Sequence, residues 1–359
     1  MKRIICVALS VFLYGIVSAQ LLFSTKFESQ NVGTAYTRPM WQSDGFNTGS
    51  WDGFLSTRTV IDDSYSYSGE KSLRVSYPKG CYGNSTNGTG AQVDLTFDDR
   101  DEAYMSYWIR FSDDFSWGTT NEGGKLPGLG SGNTSGDKIS DGTNGFTARF
   151  MWRTGGRLVV LLYHMDFTSS MGEDVELFYP DGSPVIATRG VWHHIAERVK
   201  TNSVSGGKAN ADGELEVWFD GQRVLLRKGL RFRVNNDGLN ELYFSTFHGG
   251  GDASWAPTVD SYIWFDDMRI GTTYESVAMQ SCENPDLGGD VALCGAKSVM
   301  LQCDFTSTQA KGLNWYKDGT KVSSGTSSYS ATSEGLYKVF YDSAWCAQKT
   351  TSTRTDILR

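Results

Sequence analysis

Three arginines lie in a short stretch of strand-like sequence that contains no carboxylate. The stretch runs from Gly142 to His164, in a chain of 359 residues with a formal net charge of −8. Successive side chains of a β-strand point to opposite faces of the sheet. Two sets of residues are therefore each predicted to share a face, namely Thr147, Arg149, Met151 and Arg153 on the first strand, and Val159, Leu161 and Tyr163 on the second. The pattern predicts a cationic surface on an acidic protein.

Residues of this surface are suited to binding a carboxylate and to moving a proton. Arg149 carries a planar guanidinium that can hold a carboxylate by two hydrogen bonds and keeps its charge at any working pH. Tyr163 carries a phenol, and we expect the nearby cations Arg149 and Lys125 to lower its pKa, so that it acts as an acid, a base or both. Lys125 lies in a predicted Gly-flanked turn held by Pro127, a setting that directs a side chain toward a groove.

The rest of the chain reads as many short strands and few helices. Runs such as QVDLTFDD, EAYMSYWIRF and ELEVWF have strand character, and Asp220-Gly221 is a two-residue hairpin signal. Gly is frequent, with 41 residues, whereas Pro is rare, with 7, as suits a protein rich in sheets and tight turns. This pattern predicts an all-β fold, and specifically a β-sandwich.

The chain is predicted to contain four segments. Residues 1–19 begin with two basic residues, continue with an apolar run and end on Val17-Ser18-Ala19, which is the pattern of a signal peptide. We therefore expect the mature protein to be secreted. No later run offers the ~20 apolar residues of a membrane-spanning helix, so no membrane partner is expected. The remaining segments are a main sandwich (20–275), a linker (276–290) and a second small sandwich (291–359).

Five cysteines remain after removal of the signal peptide, and four of them follow residue 280. An odd number leaves at least one thiol that is free or pairs with another molecule, and Cys81 is predicted to be that one. The order Cys303, Trp315, Cys346 is compatible with a small immunoglobulin-like sandwich, and the segment resembles secreted bacterial modules of that class. In those modules a cysteine that opens the first strand pairs with one near the end, which favours Cys294 with Cys346 over Cys303 with Cys346.

Composition and motifs argue against several kinds of chemistry. A pI near 5.1 disfavours nucleic acid as a partner. The sequence has no G-x-S-x-G nucleophile elbow, no phosphate-cradling loop and no CxxC pair. No cluster of histidines and carboxylates calls for a metal ion. We therefore expect neither a metal nor another cofactor.

Several ordered motifs, spread over roughly residues 22 to 275, resemble polysaccharide lyase family 14, which contains alginate and glucuronan lyases. The first are KLPGL (125–129), a GFTARFMWR strand (145–153) and a strand that ends in Tyr-His. The later ones are WHHIAERVKTN (192–202), DGELEVWFDG (212–221), FSTFHGG (244–250), Trp255-Ala256-Pro257 and Phe265-Asp266-Asp267. The order of the motifs makes the resemblance more specific than any single one.

The resemblance implies a jelly-roll (concanavalin-like) sandwich and a secreted enzyme that cleaves a uronate polymer, alginate or glucuronan, by β-elimination. This reaction needs a cation that neutralises the substrate carboxylate, a base that takes the C5 proton and an acid that protonates the leaving oxygen. The implied catalytic residues are Lys125, Arg149 and Tyr163. The implied substrate-binding residues are Thr147, Arg153 and His164. The expected partner is an anionic polysaccharide, bound by a monomer.

Two positions differ from the residues that the family usually has, and a third has an uncertain side-chain direction. Thr147 stands where the family has a serine, and it keeps the hydroxyl group. Leu161 stands where the family usually has a second tyrosine, so the chain is a weakened lyase, acts on another polymer or recruits a different group. His164 directly follows Tyr163, so the two face opposite sides unless the strand bulges. A structural histidine is the alternative to a substrate-binding one.

Two other functions fit parts of the sequence. A non-catalytic, lectin-like glycan-binding protein would also use aromatic residues and a cationic groove. A glycoside hydrolase needs two carboxylates about 5–9.5 Å apart. Its candidates are Glu214 with Glu216, which also read as a solvated strand face, and Asp266 with Asp267. The sequence contains no E-x-D-x-E run, which disfavours the hydrolase.

Overall fold

The computed structural model describes residues 20–132, 136–279, 298–302, 313–341 and 350–354. These residues form antiparallel sheets with three short helices, which confirms the all-β prediction. The predicted signal peptide lies outside the described residues, and so do the cysteines that follow residue 280. The disulfide pairings proposed for Cys294, Cys303 and Cys346 therefore stay predictions. Cys81 carries a free thiol and is partly exposed.

One sheet has seven strands and carries the candidate site. In spatial order its strands are β10 (Glu173–Glu176), β9 (Leu158–Tyr163), β8 (Gly145–Arg153), β7 (Gly123–Gly132), β16 (Leu239–His248), β5 (Ala91–Arg100) and β2 (Asn47–Gly53). The strands β7 to β10 are neighbours in both sequence and space. By contrast, β16 comes from far along the chain and inserts between β7 and β5. Such long-range neighbours are typical of jelly-roll sandwiches.

The second sheet has eight strands and closes the sandwich from the other side. Its order is β15 (Gln222–Leu230), β14 (Gly213–Phe219), β11 (Trp192–Lys200), β6 (Glu102–Phe111), β17 (Ser261–Gly271), β4 (Ser72–Tyr77) and β3 (Thr59–Asp62), and β1 (Leu21–Thr25) also pairs with β17. Asp220 and Gly221 connect β14 to β15 with φ angles of 49° and 77°. Both angles are positive, as a two-residue hairpin turn requires, so the predicted turn is confirmed.

The helices are short and connect or terminate strands. They are α1 (Arg38–Ser43), α2 (Leu55–Arg58) and α3 (Tyr274–Val277), with 3-10 turns at Thr154–Gly156 and Ala253–Trp255 and a small hairpin of β12 (Val204–Ser205) and β13 (Lys208–Ala209). Val277 is fully buried and α3 packs against β17 and β6, so the sandwich extends past the predicted boundary at residue 275. No helix in the described part of the chain has the length and apolarity needed to cross a membrane.

The two large sheets enclose one hydrophobic core. Its members on β8 and β9 are the inward-facing residues, Phe146, Ala148, Phe150, Trp152, Leu158, Val160 and Leu162. Trp152 is fully buried, and its ring lies 5.4 Å from that of Phe115 in an edge-on contact. A side chain of this kind contributes about 1.5–3 kcal/mol when it is fully buried. Gly124 of β7 lies against the indole, and a Cβ there would come within 1.9 Å of it, so this position requires glycine.

The segment around Lys125 differs from the predicted turn. It belongs to the continuous strand β7, whose register with β8 shifts between Lys125 and Gly128. The shift is a β-bulge at Leu126 and Pro127, where a proline is tolerated because its missing N–H is not needed by a neighbouring strand. The predicted turn is therefore wrong, because pairing with β8 on one side and β16 on the other keeps the segment extended.

The opposite sheet holds this bulge through the core. Tyr107 of β6 donates its hydroxyl hydrogen to the Pro127 carbonyl, with an O···O distance of 3.1 Å. Glu197 of β11 is fully buried and accepts the Leu129 N–H at 2.8 Å. These two contacts fix the backbone on either side of the irregularity and so position the strand that carries Lys125.

The C-terminal strands form two smaller sheets around a core of their own. One pairs β18 (Val299–Gln302) with β21 (Ser328–Ala331), and the other has the order β20 (Thr320–Ser324), β19 (Leu313–Lys317), β22 (Tyr337–Tyr341) and β23 (Thr350–Arg354). Trp315 is fully buried in this second core with Leu313 and Val339. These strands form a second β-unit, and the immunoglobulin-like class of the unit stays a prediction.

Candidate active site

The candidate residues lie on what we call the outer face, the face of the seven-stranded sheet that turns away from the core. β8 pairs with β9 so that Thr147 lies opposite Tyr163 and Arg149 lies opposite Leu161. On its other side β8 pairs with β7, and Gly128 lies opposite Arg149. The intervening residues of β8 and β9 belong to the core. The shared face predicted from strand alternation is therefore confirmed.

Arg149 is almost fully buried, with 3% of its surface exposed. Its Nη1 donates a hydrogen bond to Ser245 Oγ at 3.1 Å, and its guanidinium carbon lies 4.9 Å from the centre of the Tyr243 ring. Both partners belong to β16, so the side chain crosses β7, where Gly128 offers no side chain to obstruct it. Burial lowers the pKa of Arg149. Within the described residues its Nε is buried without a hydrogen-bond partner, so the guanidinium does not use its full hydrogen-bonding capacity within the protein.

Ion pairing separates Arg149 from the other two arginines of its stretch. Arg153 donates two hydrogen bonds to Asp174, at 2.8 and 2.6 Å, and Arg157 forms an ion pair with Glu176 at 2.8 Å. Both carboxylates come from β10, which lies beyond the carboxylate-free stretch in sequence but beside it in space. In the described part of the chain Arg149 has no such carboxylate partner. Of these three arginines, Arg149 is therefore the one whose charge can pair with the carboxylate of a ligand.

Lys125 lies on the same outer face, opposite Met151 of β8 and Phe247 of β16. Its Nζ lies 3.0 Å from the Sδ atom of Met151, which is a weak acceptor. Burial, followed by the charges of Arg149 and Arg153, lowers the pKa of Lys125 well below its usual value. A lowered pKa makes the neutral amine more abundant, and only the neutral amine can accept a proton.

Tyr163 has 3% of its surface exposed. Its Oη accepts the Gly136 N–H at 3.0 Å, and the backbone of Gly172 lies over the ring, where an added Cβ would come within 2.8 Å. Burial raises the pKa of Tyr163, although the Gly136 hydrogen bond and the Arg149 charge oppose the rise. The predicted lowering of this pKa is therefore wrong, because desolvation of the phenolate outweighs the neighbouring cation. The phenol stays protonated, which is the form that donates a proton.

Thr147 and Leu161 complete this part of the site. Thr147 is 1% exposed and lies between Gly130 on one side and Tyr163 on the other. Leu161 belongs to an apolar cluster on the outer face, with Met151, Val159 and Tyr163. The position opposite Arg149 is therefore filled by a hydrocarbon side chain. Tyr163 is the phenol that β9 contributes to the site.

The structure does not bring His164 to the outer face. This residue follows the alternation of β9 and points to the side opposite Tyr163. Its Nε2 lies 2.7 Å from Glu173 Oε2, and the same oxygen forms an ion pair with Arg227 Nη1 at 2.9 Å. Because Arg227 belongs to β15, the three side chains link the edges of the two large sheets. These contacts match the structural alternative for His164.

The outer face also contains residues that the sequence did not single out. They come from β5 and β16 and are Gln92, Asp94, Glu241, Tyr243 and Ser245. Gln92 Nε2 donates to Tyr243 Oη at 2.6 Å and to Ser245 Oγ at 2.9 Å, so it fixes both groups that contact Arg149. Strand alternation within FSTFHGG is the signal that could have placed Ser245 on the outer face. No sequence signal shows that β16 lies beside β7.

The carboxylate pairs considered for glycoside hydrolysis lie on the other sheet. Glu214 and Glu216 both form ion pairs with Arg198, at 2.8 and 3.4 Å. Asp266 and Asp267 are at most 2% exposed, and Asp266 accepts three backbone N–H groups. Each pair has partners within the protein and neither lies near Arg149. The geometry therefore does not support a hydrolase site built on them.

Comparison with known proteins gives consistent matches. A family model described as Polysaccharide lyase 14 matches residues 66–268. The structure of alginate lyase Aly36B is 27% identical, with a TM-score of 0.57, and the match covers 69% of this chain and 95% of that one. A double mutant of that enzyme in complex with an alginate trisaccharide is 29% identical, with a TM-score of 0.57 and coverage of 69% and 96%.

A further similar structure is the PL-14 alginate lyase from Aplysia kurodai, at 24% identity and a TM-score of 0.57, with coverage of 71% of this chain and 100% of that one. No curated protein sequence matches the chain. The family match spans more than half of the chain and includes every outer-face residue discussed above. On the basis of this match and of the shared jelly-roll sandwich, the protein belongs to polysaccharide lyase family 14 and is a polysaccharide lyase.

Proposed function

We propose that the protein cleaves a uronate polymer by β-elimination, with alginate as the preferred candidate and glucuronan as the second. The observation that carries this proposal is the state of Arg149, a nearly buried guanidinium without a carboxylate partner among the described residues. A buried cation of this kind is stabilised when an anionic group enters the site. The enzymes of similar structure named above are alginate lyases, which supports alginate as the first choice.

Arg149 binds the carboxylate of the sugar unit that is cleaved. Neutralising this carboxylate makes the C5 hydrogen more acidic and stabilises the charge that develops when C5 loses its proton. The hydrogen bond to Ser245 and the contact with Tyr243 hold the guanidinium in place before substrate arrives. Such preorganisation lowers the cost of reaching the transition state.

Lys125 and Tyr163 divide the proton transfers. Lys125, whose pKa burial and the nearby arginines lower, takes the C5 proton as the neutral amine. The electron pair left at C5 forms the C4–C5 double bond, and the bond from C4 to the glycosidic oxygen breaks. Tyr163, whose pKa burial raises, donates its proton to that oxygen. Lys125 ends with one proton more and Tyr163 with one fewer, and exchange with water restores both.

The test is incubation of the purified protein with alginate, its mannuronate-rich and guluronate-rich fractions, and glucuronan. β-Elimination creates an unsaturated uronate at each new end, so ultraviolet absorbance should rise together with reducing ends. Reducing ends without new absorbance would instead identify hydrolysis. Retained binding with neither signal would overturn the proposed reaction and favour the glycan-binding alternative.

We also propose that the protein is exported, on the basis of the signal-peptide pattern in residues 1–19. Export matches a substrate that is too large to enter a cell. Expression of the full chain followed by N-terminal sequencing of the protein in the medium tests this point. A mature chain that begins at Gln20 is the expected result, and retention of Met1 on protein confined to the cell would contradict it.

A further inference from the structure

Glu241 is a carboxyl group on the outer face that the proposed proton transfers do not use. It lies on β16, opposite Gly130 of β7, and Gly130 in turn lies opposite Thr147 of β8. A Cβ added to Gly130 would come within 3.1 Å of Glu241 Oε1 and 2.9 Å of Thr147 Cγ2. The side chains of Glu241 and Thr147 therefore approach each other over a position that has no side chain.

The surroundings of Glu241 leave its hydrogen-bonding capacity unused. The residue is 8% exposed, and within the described residues its carboxyl group makes neither a hydrogen bond nor an ion pair. The carboxyl oxygens are nevertheless accessible from outside the protein, so their hydrogen-bond partner comes from water or from a ligand. On a surface that faces a ligand, such a group indicates that the ligand supplies the missing hydrogen bond.

Charge determines which ligand group fits. Burial, with a smaller contribution from Asp94, raises the pKa of Glu241 to about 8, and the Arg149 charge opposes the rise. Asp94 of β5 lies opposite Tyr243, and burial raises its pKa as well. At neutral pH Glu241 is mostly a neutral acid that can donate and accept hydrogen bonds. A sugar hydroxyl group matches this combination, whereas an ionised glutamate would repel a polyanion.

We propose that Glu241 is a specificity-determining residue that hydrogen-bonds a hydroxyl group of the sugar unit next to the one held by Arg149. The proposal rests on the proposed function, because it takes the position of Arg149 as the site of the cleaved unit. Glu241 and Tyr243 are two residues apart on β16, which is about 7 Å along a strand. This spacing is on the scale of one sugar ring, so the two side chains serve neighbouring units.

Two substitutions separate hydrogen bonding from charge. Glu241→Gln keeps a donor and an acceptor but cannot ionise, whereas Glu241→Leu keeps the bulk and loses both. On the polymer that the protein cleaves, we expect the Leu variant to raise KM about tenfold at neutral pH, the loss expected for about one hydrogen bond. We expect kcat to change little and the Gln variant to stay close to the wild type. Glu275→Leu, at an exposed position on α3, is the control for replacing a glutamate by leucine away from the outer face.

The pH dependence of KM gives a readout that a purely structural role would not produce. The charged groups that face Glu241 are Asp94 of β5 and Arg149 of β8. As the pH rises through about 8, Glu241 ionises and adds a negative charge beside the polyanion, so the wild-type KM should rise. The Gln variant should lack this rise. Identical KM profiles for wild type and Gln variant would overturn the proposal even if the Leu variant failed to fold.

Failure of this proposal can be told apart from failure of the proposed function. If the wild type cleaves a uronate polymer and the Leu variant has an unchanged KM, only the role of Glu241 is wrong. If the wild type cleaves none, the proposed function is wrong. Calorimetric binding of uronate oligomers to wild type and Leu variant then decides the remaining point, and equal affinities would overturn the role of Glu241.

Discussion

Arg149 of β8 and Ser245 of β16 are joined by a hydrogen bond of 3.1 Å that passes over the intervening strand β7. Gly128 of β7, which lies opposite Arg149 on one side and Tyr243 on the other, presents no side chain to obstruct the guanidinium. It directs the guanidinium to the middle of the sheet, close to Tyr243, and away from the carboxylates of β10. The cation in the centre of the site is thus left for substrate.

Replacement of Arg149 by lysine tests its role in holding the substrate carboxylate. Arg149→Lys keeps the charge but loses the planar fork, so we expect a loss of about 2–4 kcal/mol in transition-state stabilisation, or roughly 30- to 1000-fold in kcat/KM. Arg157→Lys is the matched control, since Arg157 is ion-paired to Glu176. Thermal melting should show both variants folded. Near-full turnover of Arg149→Lys would mean that another group holds the carboxylate.

Removal of one hydroxyl group tests Tyr163 as the proton donor. Tyr163→Phe should lose nearly all turnover, at least about a hundredfold, while polymer binding is largely retained because the ring remains. The Gly136 N–H also loses its acceptor, at a cost of about 1 kcal/mol in the free energy of unfolding. Turnover and binding are measured in parallel, with Tyr179→Phe as the control. Substantial turnover by the Phe variant would assign the proton donation elsewhere.

Two substitutions that should shift the pKa of Lys125 in opposite directions test this residue as the base. Turnover should fall at low pH as Lys125 becomes protonated, so the acid side of the pH–rate profile reports its pKa. The Arg153 charge lowers this pKa and the Asp174 charge raises it. Arg153→Met should therefore move the acid side to higher pH, whereas Asp174→Asn should move it to lower pH. Shifts in the same direction, or no shift in either variant, would show that the acid side does not report Lys125.

The high-pH side of the same profile reports the proton donor. Burial raises the pKa of Tyr163 above its usual value, so the phenol stays protonated through neutral and moderately alkaline pH. Turnover should therefore persist at alkaline pH and decline only as the phenol ionises. The pH–rate profile of kcat, corrected for thermal stability at each pH, measures this side. A decline that begins near neutral pH would contradict a raised pKa for Tyr163.

Restoring a second tyrosine at position 161 tests how the site accommodates the family pattern. Leu161 is 2% exposed, and a Cβ added to Gly172 would lie 2.9 Å from its Cδ1. We expect Leu161→Tyr to overpack this contact and to lower the free energy of unfolding by about 1–3 kcal/mol. Leu161→Phe controls for ring volume without the hydroxyl group. An unchanged melting temperature together with a changed pH optimum would show that the new phenol reaches the substrate beside Tyr163.

Strand alternation determined which residues of β8 and β9 share the outer face, because side chains two residues apart must lie on the same side of a strand. The resemblance of the ordered motifs to a known family identified Lys125, Arg149 and Tyr163 as candidates. The hairpin at Asp220 and Gly221 could also be predicted from the sequence, since a two-residue turn needs residues that tolerate positive φ. Local geometry within one or two strands was sufficient for the shared face and for the hairpin.

Contacts between distant segments decided the rest. Asp174 neutralises Arg153, and Ser245 and Tyr243 hold Arg149, because β10 and β16 lie beside strands that the sequence does not pair with them. Burial raises the pKa of Tyr163, whereas the nearby cations in the sequence predicted a lowered pKa. Desolvation depends on everything packed around a group, and strand order depends on the whole core. Both are properties of the tertiary structure, which a local sequence pattern does not contain.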